Sequence, residues 1–417
     1  MKKIAVITSF YYPEMSPLSA VFDKYIQRMK GEYQFFILAP ISTVSNYPPL
    51  DDPYVKVLYL ENKIVRWRII CEEKYKKDGG LVWGAFIRLF KIRTAILACI
   101  GIKRISKWME KASYKKLNNL YQSENIDAII SINGLDLYYH LGAKRFKTRY
   151  PNVKWITMVM DPLTYSSSIY LPLAIRWTIN FHIRKLYQHE QSIYQSSDYN
   201  IFMENLYDDA LANFHLDKNK MYRFRFVLDD IRKIHNVEHR QSHLNAIRLI
   251  YAGALYRELR NPEYMLSVVS RIEGIHLDVY TRHLQCWDIL EKYISDKISV
   301  FPAANTLRYQ EMICNEYDIL LNIGNNCTNQ LPSKTLELLS TGKPIVNFYI
   351  FKDVQYEMIE KYPLGINIGK DDEDAVQKLE KFCYSMKGRQ MPFNEVEALF
   401  PENSLKHQQD ILESILS

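Results

Sequence analysis

The sequence lacks several signals that identify common classes of protein. Its six cysteines are scattered, with no C-x-x-C pair and no cysteine–histidine cluster at metal-ligand spacing, so neither a zinc module nor a disulfide framework is expected. No G-x-G-x-x-G follows the first strand candidate of either half, which removes the main support for a dinucleotide site. Internal repeats and low-complexity tracts are also absent. Any functional site must therefore be found in other motifs.

The composition is that of a folded chain long enough for two domains. The 417 residues are 47% hydrophobic and 24% charged, which is ordinary for globular proteins and argues against disorder. Scattered cysteines predict reduced, packed thiols and a cytoplasmic protein. The opening MKKIAVITSFYYPE contains a short apolar run that Pro13 and Glu14 interrupt, so we expect a buried strand there rather than a secretory signal.

Two series of apolar segments alternate with longer helical segments. The strand candidates of the first series are IAVIT, FFILAP, VKVLYL, DAIISIN, WITMVM and YNIFM, and those of the second are IRLIYAG, HLDVYT, ISVF, DILLNI, PIVNFY and GINIG. Such alternation predicts largely parallel sheets, that is, an α/β protein. The polar, charge-mixed segment from Asp229 to Asn245 separates the two series and predicts a linker.

We therefore predict two doubly wound, Rossmann-like domains that face a central cleft. Folds of this kind bind ligands at the carboxyl ends of their strands. The predicted limits are 1–228 for the first domain, 229–246 for the linker and 247–400 for the second domain. The last segment, 401–417, is predicted to form a helix that packs back on the first domain.

The most informative motif runs from Pro332 to Val346, PSKTLELLSTGKPIV. Proline disfavours helix in the residue before it and serine is a strong N-cap, so a helix should begin at Ser333 or Lys334. The N–H groups of its first turn and the charge of Lys334 favour an anion such as a phosphate. Glu337 lies one turn further on, where its carboxylate can accept hydrogen bonds from sugar hydroxyls. The same pattern also fits an ordinary capped helix of an α/β domain.

These segments together resemble a known family. IRLIYAGALYRELRNPEYML, followed downstream by EYDILLNIG and PSKTLELLSTGKPIV, is similar to the nucleotide-sugar half of GT-B glycosyltransferases, especially family 4 and related bacterial surface-polysaccharide enzymes. The resemblance covers most of the second half and, more faintly, the first. It implies a GT-B fold with an acceptor-side first domain and a nucleotide-sugar-binding second domain. It also implies a retaining transferase that takes a nucleotide-diphosphate sugar as donor, with no bound metal or other cofactor.

The resemblance assigns residues to the donor diphosphate. Gly253 matches the glycine that ends the first strand of the second domain, and Arg260 stands where the family usually has a lysine that contacts the diphosphate, with Arg257 nearby. Because no metal is implied, Arg260, Lys334 and the helix start at Ser333 would neutralise the leaving diphosphate.

The sequence departs from the family pattern at two positions. The family's arginine directly after the glycine is Ala254 here, so Arg257 is a candidate replacement. Of the family's two glutamates, Glu337 matches the second, whereas Asn329 replaces the first. An asparagine can hydrogen-bond a sugar hydroxyl but cannot place a negative charge beside an oxocarbenium-like transition state. Asn329 and Gln330 are therefore assigned to the donor sugar, and Glu337 to sugar or ribose hydroxyls.

In the first half, the motif MVMDPLTY places Asp161 directly after a strand, at the edge where a parallel sheet presents its ligands. The motif resembles the aspartate–proline step of related polysaccharide transferases, which implies that Asp161 orients the acceptor hydroxyl or takes its proton. An aspartate before a proline is also a common turn starter, so a purely structural role stays open. Asp161 and Glu337 are thus the catalytic candidates.

Two basic amphipathic segments also lie in the first half. Between Phe86 and Lys116 the chain carries nine Lys or Arg and a single acid, Glu110, and a second segment runs from Leu171 to Tyr187. The apolar part of the first is too short to span a bilayer, which needs about 20 apolar residues. Such segments can lie on an anionic membrane surface, or form core helices with a solvated basic face. Nucleic acid is not an expected partner, because the net charge is only +7 and no recognition motif is present.

Taken with the resemblance, these patterns predict a cytoplasmic glycosyltransferase of the hexosyltransferase class, peripherally associated with the inner face of the cell membrane. It would move a sugar from a nucleotide-diphosphate sugar to a glycan acceptor, carried on a lipid, in cell-surface polysaccharide synthesis. Two alternatives stay open. One is a GT-B-fold nucleotide-sugar epimerase, which needs no acceptor, and the other is a non-catalytic relative that binds membrane and glycan enzymes.

Overall fold

The structure is a computed structural model, and it describes residues 1–13, 15–44, 49–99, 107–133, 137–160, 162, 164, 179–233, 246–282, 284–326 and 334–417. The chain divides into two compact units. The first comprises Met1–Arg225 with Gln409–Ser417, and the second comprises Phe226–Gln408. This division into compact units does not test the domain limits and the linker expected from the sequence, which remain predictions.

A seven-stranded parallel sheet forms the centre of the first unit, in the order β3-β2-β1-β4-β5-β6-β7. Apart from β7, its strands are short apolar runs, as is usual where both faces of a parallel sheet are covered. Ile7 of the central strand pairs with Leu38 on one side and with Ser131 on the other. The strands are β1 Lys2–Ile7, β2 Tyr33–Pro40, β3 Val55–Leu60, β4 Ala128–Asn133, β5 Lys154–Val159, β6 Tyr199–Met203 and β7 Met221–Phe224.

Helices cover this sheet. The first begins at the N-cap Ser16, whose hydroxyl accepts a hydrogen bond from the Ser19 N–H at 3.2 Å, and Pro17 follows at a position that needs no N–H donor. Trp155 on the sheet is fully buried in the core that these helices share with it. The described helices are α1 Pro17–Met29, α2 Lys63–Asp78, α3 Leu81–Cys99, α4 Lys107–Glu124, α5 Tyr138–Arg149, α6 Ile179–Ser196 and α7 Glu204–Asn213.

The second unit contains a six-stranded parallel sheet in the order β10-β9-β8-β11-β12-β13. This is a doubly wound order that reverses direction between β8 and β11. Alternate residues of β8 pack on opposite faces, because Leu249 and Tyr251 belong to one buried cluster and Ile250 to another. The strands are β8 Ile247–Ala252, β9 Ile275–Thr281, β10 Ile298–Pro302, β11 Ile319–Ile323, β12 Ile345–Tyr349 and β13 Gly365–Gly369.

The remaining described helices follow in chain order. They are α8 Glu263–Val269, α9 Trp287–Leu290, α10 Thr306–Asn315, α11 Lys334–Ser340, α12 Val354–Lys361, α13 Ala375–Met386, α14 Phe393–Leu399 and α15 Leu405–Leu416. The end of α15 belongs to the first unit, where Lys2 Nζ donates to the Leu416 carbonyl oxygen at 2.7 Å and Lys154 Nζ donates to that of Ile415 at 2.7 Å. The two lysines complement the unpaired carbonyl groups and the negative dipole end of that helix.

The predicted fold class is confirmed, because both units are α/β and each has a parallel sheet. Each apolar segment predicted as a strand forms one. β7 was not predicted, since its four residues, MYRF, include Arg223 and lack an apolar run.

Candidate active site

A cavity of about 300 Å³ opens at the carboxyl ends of β8, β9 and β10. It lies beside the reversal of strand order between β8 and β11, where doubly wound sheets bind their ligands. Its lining combines small residues with a few charged and aromatic ones. The lining residues are Ala252, Gly253, Ala254, Tyr280, Arg282, Ala303, Ala304, Thr306, Tyr309, Lys334 and Glu337.

Helix α11 carries the two charged residues that the sequence motif singled out. Lys334 and Glu337 are three positions apart, hence on one face, and both line the cavity. The leucines of the helix pack in the core. Beyond the helix, Gly342 takes a φ of +70°, and a Cβ there would come within 2.1 Å of the Met391 carbonyl oxygen. Glycine therefore allows the chain to turn from the C-terminal end of α11 towards β12.

Lys334 is fixed at one place in the cavity. Its Nζ donates to the carbonyl oxygen of Ala252, the last residue of β8, at 2.7 Å, and lies 4.8 Å from the ring centroid of Tyr309. Burial lowers the pKa of Lys334; Glu337 opposes that shift, and the neighbouring Arg260 and Arg282 add to it. An anion beside Nζ would favour the charged lysine.

Glu337 is held by a neighbouring helix. Gln310 Nε2 donates to its Oε1 at 2.8 Å. Over the described residues Oε2 accepts no hydrogen bond, so it can accept one from a ligand hydroxyl. Burial raises the pKa of Tyr309 well above its ordinary value and the Glu337 carboxylate adds to the shift, so the Tyr309 phenol stays neutral.

Gly253 keeps the end of β8 clear. Its N–H donates to the Tyr280 carbonyl oxygen at 3.0 Å, and a Cβ at this position would lie 2.8 Å from the Tyr251 hydroxyl oxygen. With Ala252 before it and Ala254 after it, the chain here presents only small side chains to the cavity. A ligand can therefore approach the backbone closely.

The two arginines predicted at the donor site have different surroundings. Arg260 donates to Asn325 Oδ1 from Nε at 3.1 Å and from Nη2 at 2.6 Å, and from Nη1 to the carbonyl oxygen of Ala254 at 3.4 Å. It is thus fixed beside a cavity-lining residue. Arg257 instead forms an exposed ion pair with Asp288, at 2.6 and 2.7 Å, and does not line the cavity.

A largely buried row of amides supports α11. Asn322, Asn347 and Asn367 occupy register-paired positions on β11, β12 and β13, and Nδ2 of each of the first two donates to Oδ1 of the next at 2.8 Å. Gln355 Oε1 accepts from Asn322 Nδ2 at 3.1 Å and from the Thr335 hydroxyl at 2.8 Å. Because Thr335 lies in the first turn of α11, the row fixes the cavity end of that helix.

Sequence reasoning missed four residues that the fold brings to this site: Arg282, Tyr309, Gln310 and Asn325. Arg282 directly follows β9, and that strand-end position was a signal that could have found it. Tyr309 and Gln310 lie on α10, and their proximity to α11 arises only on folding.

Four predicted site residues lie outside the described residues: Asp161, Asn329, Gln330 and Ser333. Within the described part of the chain, no group of three or more His, Cys, Asp or Glu is placed to hold a metal ion.

The first sheet carries uncharged polar groups at its own carboxyl edge. After β1, Thr8 Oγ1 hydrogen-bonds Ser19 Oγ at 3.0 Å, and the hydroxyls of Ser9 and Ser16 bond each other. Asn133 ends β4 with 0% exposure, and within the described residues neither amide atom has a hydrogen bond. A buried amide without a hydrogen bond is costly, and nothing in the described residues offsets that cost at Asn133.

Comparison with known proteins shows similarity in structure only. No family model matches the chain, and no curated protein matches its sequence. Sucrose-phosphate synthase from Thermosynechococcus elongatus matches with a TM-score of 0.63, 9% identity and coverage of 100% of this chain and 98% of that one. A trehalose-6-phosphate protein from E. coli bound with UDP-2-fluoro glucose matches with a TM-score of 0.62 and 10% identity, and the match covers 100% of this chain and 99% of that one. The lipopolysaccharide outer core galactosyltransferase WaaB in its apo form matches with a TM-score of 0.57 and 12% identity, and the match covers 99% of each chain.

Neighbours such as sucrose-phosphate synthase and WaaB are glycosyltransferases of the GT-B fold, and the likeness spans the whole chain. The GT-B fold implied by the sequence resemblance is therefore confirmed. At these identities the likeness establishes the fold alone.

Proposed function

We propose that this GT-B-fold chain is a glycosyltransferase of the hexosyltransferase class that moves a sugar from a nucleotide-diphosphate sugar to a glycan acceptor. The observation that carries the proposal is the cavity that Lys334 and Glu337 line together at the carboxyl edge of the second sheet. A half-buried lysine with Arg260 and Arg282 in electrostatic range suits a diphosphate, and a carboxylate one turn away suits sugar hydroxyls. The UDP-2-fluoro glucose bound to the E. coli neighbour is a donor of this class.

The proposed donor contacts form three groups. They are Lys334, Arg260 and Ser333 for the diphosphate, Glu337 for ribose or sugar hydroxyls, and Asn329 and Gln330 for the donor sugar, with Gly253 leaving room beside the backbone. Arg257 would have to release Asp288 before it could contact the diphosphate.

The proposed reaction breaks the bond between the anomeric carbon and a diphosphate oxygen and forms a bond from that carbon to an acceptor oxygen. Negative charge grows on the leaving diphosphate, and cations already positioned beside it stabilise that charge in the transition state. We propose Asp161 as the group that orients the acceptor hydroxyl or takes its proton, with retention of configuration. Glu337 is the second catalytic candidate, through the hydroxyls that it holds.

We also propose a lipid-linked acceptor in cell-surface polysaccharide synthesis, in line with the family 4 resemblance, and a cytoplasmic protein at the inner face of the cell membrane. Among the described helices, none is long and apolar enough to cross a membrane. Of the two basic segments, the part in α4 buries Met109 in the core, and the part in α6 buries Leu186. By contrast, α3 has no buried side chain between Leu81 and Arg93.

Calorimetric titration of the purified chain with a panel of nucleoside diphosphates and their sugars tests the donor site. We expect one nucleotide class to bind, and Lys334→Met to weaken it roughly 10- to 150-fold, as for loss of a charged hydrogen bond. Lys343→Met is the matched control, because Lys343 follows the same helix and donates to the Tyr317 carbonyl oxygen at 2.5 Å, away from the cavity lining. Equal affinities for both variants would contradict the assignment.

Turnover assays separate the alternatives. Conversion of the donor without any acceptor would favour the epimerase, and absence of nucleotide binding would exclude both enzymes and favour the non-catalytic relative. Transfer that depends on an added lipid-linked glycan would support the proposal.

A further inference from the structure

The part of the apolar helix α3 from Leu81 to Arg93 is left largely uncovered. Between Leu81 and Arg93 none of its side chains is buried, and the exposed fraction is 94% for Leu81, 59% for Leu89 and 56% for Ile92. Exclusion of apolar surface from water is the main force that folds a chain. A contiguous apolar surface that remains in water therefore marks a site of interaction.

The two faces of α3 differ. On the inner face, Trp67 of α2 lies 5.0 Å from the ring centroid of Phe86 and 6.2 Å from that of Phe90. These contacts join α2 and α3 into a helical hairpin. The outer face, at spacings of four, four and three residues, consists of exposed residues that we name the outer stripe: Leu81, Ala85, Leu89 and Ile92.

The hairpin holds most of the chain's excess positive charge. From Lys63 to Cys99 there are nine Lys or Arg against three Asp or Glu, a net charge of +6, whereas all 417 residues carry +7. Of the three acids, Glu72 and Glu73 already have partners within the protein. The cations of α3 are exposed beside the outer stripe: Arg88, Lys91 and Arg93.

We infer that the α2–α3 hairpin binds an anionic lipid surface. The outer stripe enters the apolar boundary of the bilayer, while Arg88, Lys91 and Arg93 contact its headgroups, as in other helices that lie in the membrane interface. A protein partner fits less well, because the cores of protein interfaces are depleted in lysine. This inference rests on the proposed membrane association but not on the donor chemistry.

Sedimentation of the full chain with phosphatidylcholine vesicles, with and without phosphatidylglycerol, tests the inference. We expect binding only to the anionic vesicles, with loss at high salt as the Debye length shrinks. The triple change Arg88→Gln, Lys91→Gln and Arg93→Gln should reduce partitioning about 100-fold. The double change Leu89→Ser and Ile92→Ser should reduce it at least about tenfold.

Matched controls lie on exposed positions of the second unit. They are Lys292→Gln with Lys381→Gln and Lys387→Gln for charge, and Trp287→Ser with Ile294→Ser for apolar area. Both controls should bind vesicles as the wild type does. Hairpin variants that bind as well as the controls would overturn the inference. A second outcome would also overturn the inference: light scattering shows that the wild type is a dimer, the double change Leu89→Ser and Ile92→Ser dissociates it, and the wild type does not bind vesicles.

Nucleotide titration of the same variants separates this inference from the donor site. We expect the hairpin variants to keep wild-type nucleotide affinity and a wild-type thermal unfolding midpoint while they lose vesicle binding. Retained vesicle binding in a chain that binds no nucleotide would overturn the proposed function and leave the hairpin assignment intact.

Discussion

Positive charge is arranged differently in two regions of this chain. In the cavity of the second unit, Lys334 is half-buried and fixed between the Ala252 carbonyl oxygen and the Tyr309 ring. On α3 of the hairpin, Arg88, Lys91 and Arg93 are exposed, and the helix itself contains no acid to pair with them. A fixed, desolvated cation recognises one anionic group in one position. A set of exposed cations instead responds to the average field of a surface. How far a lysine or arginine is buried therefore decides whether it suits a single anionic group or a charged surface.

The largest effect is expected where a substitution keeps the charge and changes the shape. Lys334→Arg should weaken donor binding roughly 10- to 150-fold, because a planar guanidinium does not fit where an ammonium group contacts Ala252 and Tyr309. Lys91→Arg on the hairpin should leave vesicle binding unchanged. Calorimetry and vesicle sedimentation measure the two. Wild-type donor affinity in Lys334→Arg would mean that the cavity cation acts only as a general charge.

A smaller effect is expected from the support of the cavity. Gln355→Met removes the oxygen that accepts from Asn322 and Thr335, and the unpaired donors should lower the free energy of unfolding by about 1 to 3 kcal/mol. Donor affinity should fall severalfold because the first turn of α11 loosens, while vesicle binding stays the same. Thr335→Ser keeps the hydroxyl and is the control. An equally destabilised chain with unchanged donor affinity would show that the amide row stabilises the fold without positioning Lys334.

The pH dependence should also differ between the regions. Burial lowers the pKa of Lys334, so its ammonium group loses its proton at a lower pH than an ordinary lysine does. Donor affinity requires the charged form, so it should be highest below that pKa and fall as pH rises from neutrality toward the ordinary lysine pKa of about 10.4. Vesicle binding should fall less, because Arg88 and Arg93 stay charged. Calorimetry across this range would contradict the assignment if donor affinity were flat.

The smallest effect is expected from Arg257→Ala. Arg257 is exposed and paired with Asp288, and exposed ion pairs contribute little. Donor affinity and thermal unfolding should both stay close to wild type. A loss comparable to that of Lys334→Met would show that Arg257 leaves Asp288 when the donor binds and replaces the family's arginine.

The sequence was sufficient to predict every strand of the two parallel sheets except β7, because each of the others is a short apolar run, as in PIVNFY and DILLNI. It also identified Lys334 and Glu337, since a Pro-Ser start and a spacing of three residues are local features. Both residues line the cavity.

The surroundings of those residues could not be predicted. Tyr309 and Gln310 come from another helix, and Asn325 follows a different strand, so only the folded chain brings them to Lys334, Glu337 and Arg260. The basic segments were equally ambiguous. Periodicity alone did not reveal that α4 buries its apolar side while α3 exposes its own.

A crystal structure of the chain with a bound nucleotide-diphosphate sugar tests the central claim most directly. We expect the diphosphate within hydrogen-bond distance of Lys334 Nζ and a ribose or sugar hydroxyl within the same distance of a Glu337 carboxylate oxygen. A nucleotide bound elsewhere, with the cavity at the ends of β8, β9 and β10 left without it, would contradict the account.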